Sequence, residues 1–185
     1  KILALVGGGV IVAAGGGLGY AVTRLPKTAS LPWQMAGKYQ DPRKHALSWA
    51  LLAPNPHNRQ PWMANLAEPD VVTLYADPDR LLPKTDPFNR QITIGLGCFL
   101  ELLRMAAAEN GHRLETTIFP QGSSPAGLDR RPIARVVFTP DETVARDPLF
   151  AHVQLRRSNK EPFDMSRTVD PAALARIGAV VANGA

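Results

Sequence analysis

The sequence predicts an α+β fold in which a small antiparallel or mixed sheet packs on one long central helix, preceded by an apolar N-terminal helix. Three observations carry this. From Phe88 to Asn110 the residues Ile92, Gly95, Leu96, Phe99, Leu102, Leu103 and Ala106 recur at helical spacing. Four short apolar or alternating runs, two before that helix and two after it, read as strands. The resulting order of helix, two strands, long helix, two strands, helix, helix is that of a segregated α+β layout.

The segment Ile2–Val22 carries no charged residue across twenty-one positions and is flanked by Lys1, Arg24 and Lys27. At about 1.5 Å per residue, a helix of this length crosses a bilayer. Its seven glycines, including Gly7-Gly8-Gly9 and Gly15-Gly16-Gly17, make it weakly hydrophobic, in the manner of twin-arginine export signals. No A-x-A cleavage site follows, which favours an uncleaved anchor. Gly7-Gly8-Gly9 lacks the strand-turn-helix setting of a phosphate loop. Residues 1–23 are therefore read as a transmembrane anchor or export signal, with Ile2–Val22 meeting the membrane and the folded part at the extracytoplasmic face. Residues 24–40 mix Pro, Lys, Ser and Gly and read as a linker.

The folded part opens at Asp41-Pro42, an N-cap with Pro at the first helical position. Ala46, Trp49, Ala50 and Leu52 then form a short amphipathic helix ended by the Pro54 region. Trp62–Leu66 and Val71–Ala76 flank the Glu68-Pro69-Asp70 turn as a β-hairpin, with Val72, Leu74 and Ala76 on one face. Asp77–Pro83 is a turn, and Asp86-Pro87 reads as the start of the long helix, which stops at Asn110-Gly111. Gly95 and Gly97 inside that helix cost about 1 kcal/mol each relative to Ala. Close helix packing explains them more simply than a ligand passing nearby. Leu114–Phe119 and Ile133–Phe138 are strands separated by the loop Pro120–Asp129. Asp147-Pro148 opens a helix towards Leu155, and Asp170-Pro171 opens a last one over Ala172–Val181.

The chain of 185 residues has 45% hydrophobic and 20% charged residues, ordinary for a folded domain. Its net charge of +5 is spread along the sequence without a basic run interleaved with aromatics, which argues against a nucleic-acid partner. The single cysteine, Cys98, excludes an intramolecular disulfide and sits in an apolar helical run as a small core residue. The histidines at 45, 57, 112 and 152 lack ligand spacing, so no metal site is expected.

The run Ala53-Pro54-Asn55-Pro56-His57-Asn58-Arg59-Gln60-Pro61-Trp62 is the chemically distinctive stretch. Prolines at 54, 56 and 61 fix φ and remove backbone donors, so the segment is a stiff loop of low entropy. Asn58 and Gln60 each offer an uncharged amide with donors and an acceptor, suited to the imide edge of an isoalloxazine or to a ribityl hydroxyl. The bland reading is a Pro-rich turn whose amides cap neighbouring backbone. The run resembles the A-P-S-x-x-N-x-Q-P-W segment of FMN-dependent nitroreductases, with Asn58, Gln60, Pro61 and Trp62 in register and Asn55 where that family usually has Ser. A second run, Arg156-Arg157-Ser158-Asn159-Lys160 with Pro162-Phe163, resembles the R-R-S-x-R-x-F segment that grips the FMN phosphate, with Lys160 in place of the second arginine. An arginine fork at a helix end and a serine hydroxyl supply the donors a phosphate needs. Alone, such a run is a solvated surface patch.

In ordinary nitroreductases the arginine motif precedes the N-x-Q-P-W loop, whereas here it follows. That order is similar to the Acg-type branch, in which a longer chain carries two nitroreductase-like halves in place of a homodimer. The resemblance, supported also by Asp86-Pro87-Phe88-Asn89-Arg90, implies that residues 41–155 are a first half and that residues 156–185 begin an incomplete second one, giving a dimer or pseudo-dimer. It implies FMN as cofactor, NAD(P)H as electron donor and a nitroaromatic or quinone as acceptor, with cofactor binding by Asn58, Gln60, Pro61, Arg156, Arg157 and Ser158. No residue is assigned as catalytic, since the flavin carries the chemistry. Trp62 is read as packing behind the ring and His57 as a hydrogen-bonding spacer. The alternatives are a membrane-anchored protein that binds or sequesters flavin without turnover, and a membrane-tethered remnant holding no cofactor.

Overall fold

The computed structural model describes residue 28 and residues 30–182, with side chains to residue 179. The N-terminal apolar segment lies outside the described residues. Within the stretch read as a linker, Leu31–Met35 forms a short exposed helix, α1. Its exit is tied to the domain at Gly37, whose N–H donates to the buried Ser48 Oγ at 2.8 Å.

Helix α2 (Pro42–Ala50) starts where Asp41-Pro42 predicts. The Asp41 carboxylate accepts the Arg43 backbone N–H at 2.9 Å, and Pro42 needs no such partner. Arg43 also pairs with Asp41 at 2.8 Å and donates to the Leu66 and Glu68 carbonyls. One guanidinium thus fastens the helix start to the hairpin turn. This ion pair holds the Asp41 carboxyl down at about 2.

The predicted hairpin is β1 (Trp62–Asn65) and β2 (Val71–Ala76), paired antiparallel from Trp62 opposite Ala76 to Asn65 opposite Thr73. After the long helix α3 (Arg90–Glu109) come β3 (His112–Ile118) and β4 (Pro132–Pro140). The sheet is antiparallel throughout, in the order β1-β2-β4-β3, with one irregularity at Leu74/Tyr75 where β2 meets β4. Both later strands run longer than the hydrophobic pattern marks, because β3 starts at His112 directly after the Gly111 turn and β4 keeps pairing as far as Pro140. Gly111 has φ +66, in the left-handed region that favours glycine at this stop.

The core is α3 against one sheet face. Ile92, Leu96, Phe99, Leu103 and Ala106 are buried with Val72, Leu74, Ala134, Val136 and Phe138, and α2 adds Ala46 and Ala50. Val72, Leu74 and Ala76 share the buried face as predicted. Burying each large aliphatic side chain contributes about 1.5–3 kcal/mol, so this stripe dominates stability. Among the described residues α3 is the one helix long and apolar enough to cross a membrane, and 50% of that stretch is buried inside the domain.

Two helix boundaries differ from the sequence pattern. The long helix begins at Arg90 and not beside Asp86-Pro87: Asn89 takes a left-handed φ of 55°, breaking the helix between Pro87 and Arg90. The buried Asp86 instead reaches forward, its Oδ2 accepting the Ile92 N–H at 3.0 Å. The segment after Asp147-Pro148 is a 3-10 turn, Pro148–His152, and not a helix reaching Leu155. The final helix, α4 (Pro171–Ala182), matches its Asp170-Pro171 signal.

Replacing Asp86 by Ala leaves the Ile92 N–H without its buried partner and is expected to destabilise the domain by about 1–2 kcal/mol in urea unfolding. His45, half-buried in α2, has its pKa lowered mainly by burial. The unfolded chain therefore binds this proton first, and the contribution of His45, complete above its ordinary pKa near 6.5, is lost as pH falls below that value. Urea midpoints at pH 7.5 and pH 5.5 should fall less for His45→Gln than for wild type.

Candidate functional site

The loop between α2 and β1 is anchored by buried residues at both ends. Leu52 and Ala53 enter it from the core, and the fully buried Pro61 leaves it. The Pro61 carbonyl accepts the Asp77 N–H at 2.9 Å, and Trp62 lies against Phe99 of α3 with ring centroids 4.9 Å apart. Trp62 is a packing residue on the core helix. Pro61 holds the loop in place and turns no surface outward.

Between these anchors the backbone is unusual. His57, Asn58 and Gln60 all adopt left-handed φ, at 51°, 50° and 50°, a region that His and Asn tolerate better than most residues. The 3-10 turn Pro56–Asn58 carries this reversal. Asn55 braces it from within: its Nδ2 donates to the Ala53 carbonyl at 3.1 Å and its Oδ1 accepts the Gln60 N–H at 2.8 Å. On the outer side, Arg59 donates to the Asp79 and Arg80 carbonyls while Arg80 donates back to the Arg59 carbonyl at 3.1 Å. The sequence signal for Asn55 was its departure from Ser in the resemblance, and nothing in the sequence marked the Arg59–Arg80 exchange.

Gly95 lets this loop sit on α3. A Cβ at Gly95 would stand 3.3 Å from both Asn55 Cβ and Pro56 Cδ, tighter than an ordinary contact. The close approach is therefore helix to loop, not the helix-to-helix packing expected from sequence. Gly97 faces open space.

Beside this contact lies a cleft of about 340 Å³, broadly open to solvent and lined by Pro54, Asn55, Pro56, Gln91, Ile94, Gly95, Cys98 and Ser158. Ser158, one hundred residues downstream of the loop, is thus brought to it. Arg156 also returns to the loop, its Nη2 donating to the Leu52 carbonyl at 3.4 Å. It borders a separate apolar pocket of about 260 Å³ formed by Pro54, Leu102, Met105, Leu149, His152 and Val153. Arg157 folds back onto the Gln154 and Arg156 carbonyls at 2.7 and 2.8 Å. The arginine fork expected at a helix end follows a turn instead, and one nitrogen of each guanidinium donates to backbone carbonyls. Asn58 is exposed and Gln60 half-buried. Their side-chain amides make no hydrogen bond among the described residues, and neither lines the cleft that holds Ser158. His57 is exposed. Cys98 is partly buried, packed on the core with one side on the cleft.

No family model matches the chain. Over 122 residues it is 34% identical to a protein of Mycobacterium tuberculosis (strain ATCC 25618 / H37Rv) named "Putative NAD(P)H nitroreductase acg", a match covering 65% of this chain and 35% of that protein. In sequence, this chain is thus similar to a protein named as a nitroreductase. It is also 35% identical over 127 residues to "Uncharacterized protein Rv3127" of the same organism, with the same two coverages, and 29% identical over 117 residues to "Putative NAD(P)H nitroreductase Rv3131", covering 63% and 33%. The chain spans about a third of the length of these curated relatives. A solved structure described as a nitroreductase family protein from Clostridium difficile 630 aligns with 70% of this chain and 88% of its own, at 18% identity and a TM-score of 0.43. That score is too low for the two folds to be equated.

The two glycines of α3 are expected to respond in opposite directions. Gly95→Val pushes a branched side chain into Asn55 and Pro56 and should destabilise by about 1–3 kcal/mol. Gly97→Ala, with nothing in its way, should stabilise the helix by about 0.5–1 kcal/mol. Thermal or urea unfolding of the two variants measures both.

Proposed function

We propose that this chain forms one side of an FMN site in an oxidoreductase that passes electrons from NAD(P)H to a small acceptor such as a nitroaromatic or quinone. The observation carrying this reading is the meeting of two motifs far apart in sequence: Ser158 lines one cleft with Pro54, Asn55 and Pro56, and Arg156 touches Leu52 at the start of the same loop. Similarity to proteins named as NAD(P)H nitroreductases supports the same direction.

The residues present fit a flavin in kind. Pro54, Pro56, Ile94, Gly95 and Cys98 make an apolar wall, Asn55, Gln91 and Ser158 add polar groups, and about 340 Å³ lies within the about 300–1,000 Å³ usual for small-molecule sites. When bound, FMN supplies the two-electron transfer. The protein's part is to bind and orient: the Asn58 and Gln60 amides, outside the cleft lining and unpartnered among the described residues, offer donors and acceptors to a heteroaromatic edge or a ribityl chain that extends past the cleft. Ser158, Arg156 and Arg157 offer donors to a phosphate, Arg157 through the nitrogens not bound to the Gln154 and Arg156 carbonyls. The openness of the cleft and the half-exposed Ile94 on its rim support completion by a second nitroreductase-like half, as a dimer or pseudo-dimer. Tethering through Ile2–Val22 at the extracytoplasmic face belongs to the same proposal.

The test is a visible absorption spectrum of the full chain after addition of FMN and removal of excess, compared with the Asn58→Ala, Gln60→Ala double variant. Wild type is expected to retain flavin absorbance that the double variant loses, and NAD(P)H is expected to bleach it. A colourless wild-type protein would overturn the flavin reading for this chain. Flavin retained but never bleached by NAD(P)H would overturn the oxidoreductase part alone.

A further inference from the structure

We propose that Asn55 is a positioning residue for this site, whose side chain holds His57, Asn58 and Gln60 in the left-handed conformation from which the Asn58 and Gln60 amides are presented. The inference rests on the flavin reading above and deepens it.

Three non-glycine residues of four in the left-handed region do not stay there without help, because Cβ crowds the backbone in that conformation. Such a segment persists only when its surroundings over-determine it. The turn bonds from Asn58 N–H to Asn55 O and from Arg59 N–H to Pro56 O, at 3.3 and 3.1 Å, each span three residues and end before Gln60. The Asn55 Oδ1 bond to Gln60 N–H spans all of the reversed backbone, from before its first residue to its last. The Arg59–Arg80 exchange acts on the outer face and fixes Arg59, whose own φ is ordinary.

Asn55 can act as a strut because it is held itself. Its Cβ lies against the Gly95 position of α3, and its Nδ2 is bound to the carbonyl of the buried Ala53. A line of contacts thus runs from the core helix through Asn55 to the Gln60 backbone. The position needs a donor and an acceptor on one side chain at once, aimed in opposite directions, and an amide supplies both. An aspartate would keep the acceptor and lose the donor, and an alanine would lose both. Asn55 also lines the cleft, so the strut and the cleft wall are one side chain.

The experiment compares full-length wild type, Asn55→Ala and Asn55→Asp by two readouts. The first is amide hydrogen exchange at Gln60, without flavin. The second is FMN affinity from flavin fluorescence titration, with the visible circular dichroism of bound FMN as the spectroscopic signature. In Asn55→Ala, Gln60 exchange is expected to accelerate and FMN affinity to fall, each about tenfold, as the loss of one hydrogen bond would give, with an altered flavin dichroism. Asn55→Asp, which keeps the acceptor but sets a second carboxylate oxygen against the Ala53 carbonyl, is expected to give Gln60 exchange between those of wild type and Asn55→Ala. Gln60 exchange and FMN affinity within about twofold of wild type in Asn55→Ala would overturn the inference while leaving the flavin reading in place. Wild type that binds no FMN would overturn both. If Asn55→Ala fails to fold, Asn55→Asp decides: Gln60 exchange within about twofold of wild type in that variant overturns the inference, and faster exchange supports it.

Discussion

The apolar stripe of α3 is the constraint on which the rest of the molecule depends. Ile92, Leu96, Phe99 and Leu103 are almost completely buried against β2 and β4, and their burial supplies the largest favourable term available to a domain without a disulfide. The same helix carries the candidate site on another face. Gly95 is the contact point for Asn55 and Pro56, while Phe99 receives Trp62 at the loop's exit. A cleft whose floor is a core helix inherits the rigidity of the core, which is what orientation of a flat ligand requires.

The loop itself is locally strained and held by distributed bracing. Prolines fix part of the backbone, Asn55 spans the left-handed segment inside, and the Arg59–Arg80 exchange clamps it outside. The phosphate side is arranged differently. Arg156 and Arg157 sit in irregular chain, and a single nitrogen of each guanidinium is bound to carbonyls. The loop side of the cleft is held by several bonds, whereas the cationic side is held by few.

Asp-Pro pairs illustrate how far local chemistry reaches. Asp41-Pro42, Asp77-Pro78, Asp147-Pro148 and Asp170-Pro171 all place Pro in the first turn of a helix or 3-10 turn, as Pro's fixed φ favours. Asp86-Pro87 does not, because Asn89 adopts a left-handed φ and its Oδ1 accepts the Leu128 N–H at 2.9 Å, pinning the β3–β4 loop to the helix entrance. Gly127, with φ +109, makes room for that side chain. The tertiary bond between Asn89 and Leu128, thirty-nine residues apart, overrides the local helix signal.

Periodicity and punctuation in the sequence by themselves determined the α+β class, the hairpin, the long helix with its buried stripe, and the stiffness of the Ala53–Trp62 loop. These are legible because side-chain period, proline φ and glycine stops act over a few residues. Only the tertiary structure decided that Gly95 meets a loop and not a helix, that Pro61 is sealed in the core, that Asn55 braces Gln60, and that Ser158 returns to Pro54–Pro56. Those facts depend on which distant surfaces the α3 stripe forces together, and no local pattern encodes a contact made across one hundred residues of chain.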